Sequence, residues 1–304
     1  MNALITTEMT TTPSKPATLA LYYLETRSSP ITSSSSLMAQ MAHRLSLLSY
    51  WSIPPGSRVL EIGCGQGDTT IVLADAVGPT GHVDAIDPGD PTYGSPYTLG
   101  QSQSHISSSP LGPRITFHNT TPQKYLAGYE GERYDVVVFS HSIYYFSSPQ
   151  ILPEILVSLK GKAKRACVAE WALKAGRQEG QAHLLAVLLL GWLESRREIE
   201  SQENVRCVRS PRAIREIFER EGWRVKKEER ARETGEGMHD GKWEVGALLK
   251  NEEALMEEMR GIGVGEKEEV WLEGAWDALR SCVDGYVGGV EGVKCMDHWA
   301  CVFE

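Results

Sequence analysis

One run, Arg58-Val-Leu-Glu-Ile-Gly-Cys-Gly-Gln-Gly-Asp-Thr-Thr70, constrains this chain more than any other. Residues 58–62 read as a buried strand. Thr69, Ile71, Val72, Leu73 and Ala74 read as a helix that ends near Gly78. Between them Gly63, Gly65 and Gly67 follow the spacing G-x-G-x-G. Glycine there lets the backbone pass close to a ligand and adopt dihedrals that a Cβ forbids. The helix that follows presents free N–H groups at its start. A second strand, Val83 to Ile86, ends at Asp87, where a carboxylate can accept both hydroxyls of a ribose. The pattern predicts a nucleoside-binding α/β unit.

The rest of the chain repeats the alternation. Arg114–Phe117, Tyr134–Phe139 and Ala166–Ala169 read as further strands, a sixth starts at Trp223–Val225, and Met296–Phe303 reads as the last. Helical spacing joins Leu37, Met38, Met41, Leu45 and Leu48. It also joins Ile151, Leu152, Ile155, Leu156 and Leu159, and, within 180–199, Leu184, Leu185, Leu188, Leu189 and Trp192. Leu99 to Ile106 reads as a short helix, and Ser210-Pro211 caps and starts another. Strands alternating with helices predict a parallel sheet with helices on both faces. Residues 1–16 are polar and Thr-rich and read as a disordered tail. Residues 17–304 read as one domain.

Composition narrows the function. With 304 residues, 41% of them hydrophobic, the chain can build a sizeable core. Lys plus Arg is 31 and Asp plus Glu is 40, a formal charge of -9. A chain that neutralises nucleic-acid phosphates carries basic excess, so the expected partner is a small neutral or cationic molecule, not nucleic acid. No apolar run reaches membrane-span length, and no CxxC pair occurs among six cysteines. A reduced, cytoplasmic protein without a membrane segment is expected. No metal is expected, because the His and acidic residues lack spacings such as HExxH. Oligomeric state is unreadable from the sequence.

Two nucleoside cofactors suit the glycine loop. A dinucleotide site usually follows G-x-G-x-x-G. Here Asp68 stands where phosphate would arrive, and Glu61 precedes the loop. Two acids suit a cationic sulfonium and ammonium better than a pyrophosphate, which favours S-adenosylmethionine over NAD. The segment Glu61-Ile-Gly-Cys-Gly-Gln-Gly67, the strand-end Asp87 and Tyr134-Asp-Val-Val-Val-Phe-Ser-His-Ser-Ile-Tyr-Tyr-Phe146 together resemble class I S-adenosylmethionine-dependent methyltransferases, over roughly residues 37–230. Gly78-Pro-Thr-Gly-His-Val-Asp-Ala-Ile-Asp87 and Ser210–Trp223 look like a fungal-type branch acting on small molecules. The resemblance implies a Rossmann-like, doubly wound seven-stranded sheet whose last strand is antiparallel, with residues 231–294 as an inserted helical lid.

The same resemblance assigns roles. Gly63, Cys64, Gly65 and Gly67 match the cofactor loop, Glu61 its leading acid, and Asp87 with Pro88 the ribose position. The family often has Asp after the third strand to contact adenine. Thr120 and Thr121 stand there instead. Ser140 and His141 match the strand end beside the methyl group. His141 is a candidate general base, the competing reading being a histidine that shapes the pocket. Tyr144 and Tyr145 are candidates for an aromatic wall, and Glu170 and Trp171 lie at the end of the fifth strand. Trp243, in the run 238–244, is a further substrate candidate. His183 reads as a packed residue. Trp243, Trp271 and Trp276 suggest an apolar closed pocket. The expected reaction moves a methyl group from S-adenosylmethionine to a small organic acceptor, at N, O, C or S. The alternative is a protein of the same fold that binds this cofactor without methylating.

Overall fold

The computed structural model describes residues 14–24, 35–198, 201, 203–231 and 238–304. Its strands are β1 (Arg58–Ile62), β2 (His82–Asp87), β3 (Ile115–Asn119), β4 (Tyr134–Ser140), β5 (Ala163–Trp171), β6 (Val225–Ala231) and β7 (His298–Phe303). They form a seven-stranded sheet in the order β3-β2-β1-β4-β5-β7-β6. β1 to β5 are parallel, and β7 runs antiparallel to β5 and β6. The helices are α1 (Lys15–Ala20), α2 (Ser35–Trp51), α3 (Asp68–Val77), α4 (Leu99–Ser107), α5 (Pro122–Ala127), α6 (Ile151–Ser158), α7 (Gln181–Arg196), α8 (Pro211–Arg220), α9 (Asp240–Ile262) and α10 (Glu266–Asp284).

Strand period two sorts the core into two layers. Val59, Val83, Val136 and Val138 pack with Met41, Leu47, Trp51, Ile71 and Val72 of α2 and α3. Leu60, Ile62, Val137 and Phe139 pack on the opposite face with Leu152, Ile155, Leu156, Ile214 and Phe218 of α6 and α8. The central strands are therefore apolar on both sides, as parallel sheets require. β6 carries Lys226-Lys-Glu-Glu-Arg230 and forms the solvated edge. Caps fix where helices begin. Thr98 and Gln101 close a capping box on α4, Thr121 Oγ1 accepts from Lys124 N–H, and Ser210 Oγ accepts from Ala213 N–H ahead of Pro211. α5 is not foreseen from the sequence, because its six residues are too few to show a period.

Helices α7, α9 and α10 bury a separate core around Leu189, Leu193, Leu248, Met259, Leu272 and Trp276. Full burial of each such side chain contributes about 1.5–3 kcal/mol, so the three helices hold each other. The helical unit thus draws on α7 as well as on the stretch after β6, which the expected lid boundary of 231–294 omitted. Two details differ from the sequence reading. α7 buries Ala182, His183, Ala186, Val187, Leu189 and Leu193 and exposes Leu188, because it packs on two sides. Where the sequence suggests Cys295 and Cys301 on one strand, Cys295 instead precedes β7. Its Sγ accepts from Gly241 N–H and so pins the start of α9. Residues 1–13 of the expected tail lie outside the described residues, while Lys15 already begins α1.

Candidate active site

The C-terminal edge of the parallel strands is where an open α/β sheet places ligands. At this edge β1 delivers the glycine loop. Gly63 has φ +76°, and a Cβ built on it would lie 2.6 Å from Ser142 Cβ. Gly65 has φ +52° and nothing within 4 Å of a built Cβ, so the loop keeps an open side that a ligand can approach. The loop is braced from behind. Gly65 N–H donates to Asp87 Oδ2 and Gly89 N–H to Asp87 Oδ1, each at 2.8 Å. Gln103 Nε2 donates to Gly65 O at 2.9 Å. A carboxylate has about four lone-pair sites, so Asp87 retains acceptor capacity for a pair of hydroxyls.

The two acids flanking the loop behave differently from the sequence expectation. Glu61 is buried, and its Oε2 accepts from Thr70 Oγ1 at 2.6 Å. Burial pushes its carboxyl up to about 8, against the pull of the Thr70 bond. It ties β1 to α3 as a neutral acid at pH 7. Asp68 Oδ2 accepts from Arg44 Nε at 2.8 Å, so its charge is matched. Neither acid offers the loop a free negative charge. Cys64 is buried, and burial raises its thiol well above the ordinary range, which keeps it protonated.

Beside the loop, β4 ends in a buried polar cluster. Thr69 Oγ1 donates to Ser140 Oγ at 3.1 Å. His141 takes a left-handed backbone, φ +51°, while its N–H donates to Ala169 O. Such a conformation in a non-glycine residue costs about 1–3 kcal/mol and gathers at functional sites. His141 Nε2 lies 3.0 Å from His43 Nε2 on α2. Its Nδ1 has no hydrogen-bond partner and lies 3.6 Å from Glu170 Oε1. Burial, reinforced by Arg44, holds His141 well below the ordinary imidazole range, so it is neutral at pH 7. Burial lifts Glu170 to about 8, although the N–H groups of Trp171, Ile143 and Tyr144 all donate to it.

The helical unit closes over this cluster. The Trp171 ring lies between His141, 4.6 Å away, and His183 of α7, 4.9 Å away, centroid to centroid. His183 is fully buried. Its Nδ1 accepts from Met296 N–H at 3.0 Å, so the neutral ring carries its proton on Nε2. That Nε2 faces Glu244 Oε2 at 3.1 Å, but neither atom has an aligned hydrogen bond. Asp240, one turn earlier on α9, sits in the fields of Arg44, Glu244 and His183.

The sequence candidates separate into those at the edge and those away from it. Gly63, Gly65, Gly67, Asp87, Ser140, His141, Glu170 and Trp171 converge there. Tyr144 is buried with its hydroxyl donating to the carbonyls of Trp171 and Arg209, so it braces the wall from behind. Tyr145 is 40% exposed. Thr121 uses its hydroxyl as the α5 cap. Thr120 is half-buried beside Asn119, whose amide holds the carbonyls of Asp87 and Gly89. Pro88 is exposed next to Asp87. Trp243 is 58% exposed, Trp271 stacks on Trp192 at the outer surface, and Trp276 lies inside the helical core. The helical unit meets Tyr144 and Trp171 through an apolar patch that includes Val187, Met238 and Met296 rather than through these three tryptophans, with the polar His183 and Glu244 beside it. His43, Arg44, Asp240 and Glu244 were not singled out individually. Two signals pointed to them: a His-Arg pair inside the apolar stripe of residues 37–48, and two acids four apart at the start of α9.

Comparison with known proteins follows this geometry. A family model described as a methyltransferase domain matches residues 35–228. Two methyltransferases of Diaporthe leptostromiformis, phomM and phomM', are each 26% identical over 284 residues, covering 81% of this chain and 73% of theirs. The crystal structure of a cyclopropane-fatty-acyl-phospholipid synthase-like protein from Lactobacillus casei superposes with a TM-score of 0.77 at 26% identity. It covers 95% of this chain and 98% of that one.

Proposed function

The chain belongs to the methyltransferase-domain family and is a class I S-adenosylmethionine-dependent methyltransferase, and from that premise we propose that it methylates a small organic acceptor enclosed between the sheet edge and the helical unit. One observation carries this reading. A buried cluster of His43, His141, Glu170 and His183 gathers at the ends of β4 and β5, next to Ser142, which packs against Gly63 of the glycine loop.

Bound at this edge, S-adenosylmethionine supplies a methyl group on a positively charged sulfur. The residues present suit it. Gly63 to Gly67 give the close approach, with Cys64 a small filler. Asp87, beside Pro88, would accept from the ribose hydroxyls, and Thr120 and Thr121 would stand near the adenine. Glu61 holds the loop to α3, and Ser140 would lie beside the methyl group. Arg44 keeps a buried Nη1 without a hydrogen-bond partner, which suits the methionyl carboxylate. Burial works against the charge of Arg44, but Asp68 and Asp240 outweigh it and keep the guanidinium charged.

The chain's main task is to hold the acceptor atom about 3 Å from the methyl carbon, in line with the bond that breaks. Glu170 and Trp171 form the floor, Tyr144 stiffens the wall, and Tyr145 borders the entrance. Neutral His141, paired with His43, receives the acceptor's proton. The helical unit excludes water. Fungal small-molecule chemistry is the setting that the Diaporthe relatives support.

Calorimetry with S-adenosylmethionine and, in parallel, NAD tests the cofactor half. Release of S-adenosylhomocysteine in the presence of candidate acceptors tests turnover. Binding of NAD alone would overturn the reading.

A further inference from the structure

We infer that the methyl acceptor is an amine, drawn into place by Asp240 and Glu244 on the inner face of the helical unit. The inference rests on the methyl-transfer reading above and names the acceptor class for that site.

The argument begins with charge. Asp240 and Glu244 lie one turn apart on α9, a spacing at which like charges repel. The groups that face them from other elements are Arg44 on α2, Tyr145 after β4, Glu170 on β5 and His183 on α7. Arg44 already donates Nε to Asp68 at 2.8 Å. His183 has its Nδ1 lone pair committed to Met296 N–H, so it cannot become a cation without losing that bond. One guanidinium therefore stands against Asp68, Asp240 and Glu244. The bound cofactor brings one net positive charge, which leaves room for one more.

The second observation is independent of the acids. His183 Nε2 is fully buried and faces Glu244 Oε2 at 3.1 Å, but neither atom forms an aligned hydrogen bond. A buried polar atom without an aligned hydrogen bond is destabilising. Two such atoms 3.1 Å apart and out of alignment suit a third polar group that meets both. An ammonium gives Glu244 a charged donor and relieves the repulsion from Asp240. A carboxylate acceptor meets like charge from both acids. A neutral alcohol leaves buried carboxylates uncompensated. Burial holds the Asp240 carboxyl above its ordinary range, so an ammonium beside it lowers the cost of its ionised form.

The chemistry balances. The ammonium gives up one proton, relayed through the neutral His141–His43 pair to solvent, and so gains a lone pair. Nitrogen forms the N–CH3 bond as the S–CH3 bond breaks, and the electron pair of that bond goes to sulfur. The products are S-adenosylhomocysteine, the methylated amine and one proton released to solvent.

The test uses the full chain saturated with S-adenosylhomocysteine and three matched probes: 2-phenylethylamine, 2-phenylethanol and 3-phenylpropanoate. Binding is followed by ligand-observed NMR and calorimetry. The amine should bind at least about ten-fold more tightly than the other two. Glu244→Gln, which keeps shape and removes charge, should erase that preference while cofactor affinity stays within about two-fold. Asp240→Asn should weaken it by a smaller factor. Equal or tighter binding of the alcohol or the acid overturns the inference. So does an amine preference that survives Glu244→Gln, or no saturable amine binding at millimolar concentration in enzyme that binds the cofactor. Failure to bind the cofactor at all would instead remove the methyl-transfer reading on which the inference stands.

Discussion

The glycine-loop side of the cleft and the helical side solve opposite problems. On the loop side, one contiguous run of backbone does the work. Amides and carbonyls of residues 63–67 are braced by Asp87 and Gln103, and the flanking charges of Glu61 and Asp68 are silenced by protonation or by Arg44. On the helical side, side chains do the work. His43, His141, Glu170, His183 and Glu244 come from five separate elements, and three of the atoms they present have no aligned hydrogen bond. The contrast shows how a common cofactor and a particular acceptor ask different things of a fold. A shape held by backbone persists through side-chain change. A polar cluster contributed by distant elements depends on each of those side chains staying in place.

Variants on the two sides should separate cleanly. The largest effect is expected at His141. His141→Asn retains a residue tolerant of the left-handed backbone and removes the proton acceptor. Turnover should fall about 10²–10⁴-fold, with S-adenosylmethionine affinity within about three-fold. If affinity falls and the rate at saturation does not, His141 belongs to the cofactor side. Gly63→Ala combines positive φ with a contact 2.6 Å from Ser142 Cβ. Strain and overpacking of about 3 kcal/mol should weaken cofactor binding on the order of 100-fold. Near-normal binding by calorimetry would show the loop to be less rigid than its bracing indicates.

Asp87→Ala should cost roughly 1.5–3 kcal/mol of cofactor affinity and leave amine affinity alone, and unchanged cofactor affinity would remove the ribose role. Glu61→Gln sharpens the comparison through pH. The folded carboxyl titrates near 8 and the unfolded one near 4.3. Between those values the folded state binds more protons, so Glu61 makes wild-type stability fall as pH rises. Urea unfolding at pH 5 and pH 8 should show the Gln variant gaining on wild type toward pH 8. A constant difference would mean that Glu61 is ionised in the fold. The smallest effect is expected for Trp243→Ala, a surface change of less than about 0.5 kcal/mol. A marked loss of turnover there would return Trp243 to the acceptor site.

The same contrast explains what could be read from the sequence. The strand–glycine–helix run, the strand-end Asp87 and the apolar strand of residues 134–139 are local, and local patterns place the parallel sheet and the cofactor edge, while the antiparallel last strand followed only from the family resemblance. His141 was legible because it ends a recognisable strand. Glu244 stands out only as part of the run 238–244, because its own importance comes from standing 3.1 Å from His183, 61 residues away in the chain. Trp243 drew attention as the bulkier neighbour, yet helical geometry turns it outward and turns Glu244 in. His183 read as a packed residue, and it is packed. Only its bond to Met296 N–H reveals which nitrogen carries the proton and faces the acid.

The position of β7 has a consequence for how the protein comes to be made. Among the described residues, β6, at residues 225–231, finds its only ladder partner in β7, and β5 finds one of its two partners there. During synthesis both strands must wait while the helices of residues 240–284 emerge, because β7 lies between them. Pairings of such long sequence separation form late and slowly. Until then β6 is an unpaired edge, and its run Lys226-Lys-Glu-Glu-Arg230 gives it the charge that discourages pairing with a neighbouring nascent chain. The charges of that strand thus protect the protein while its sheet is incomplete.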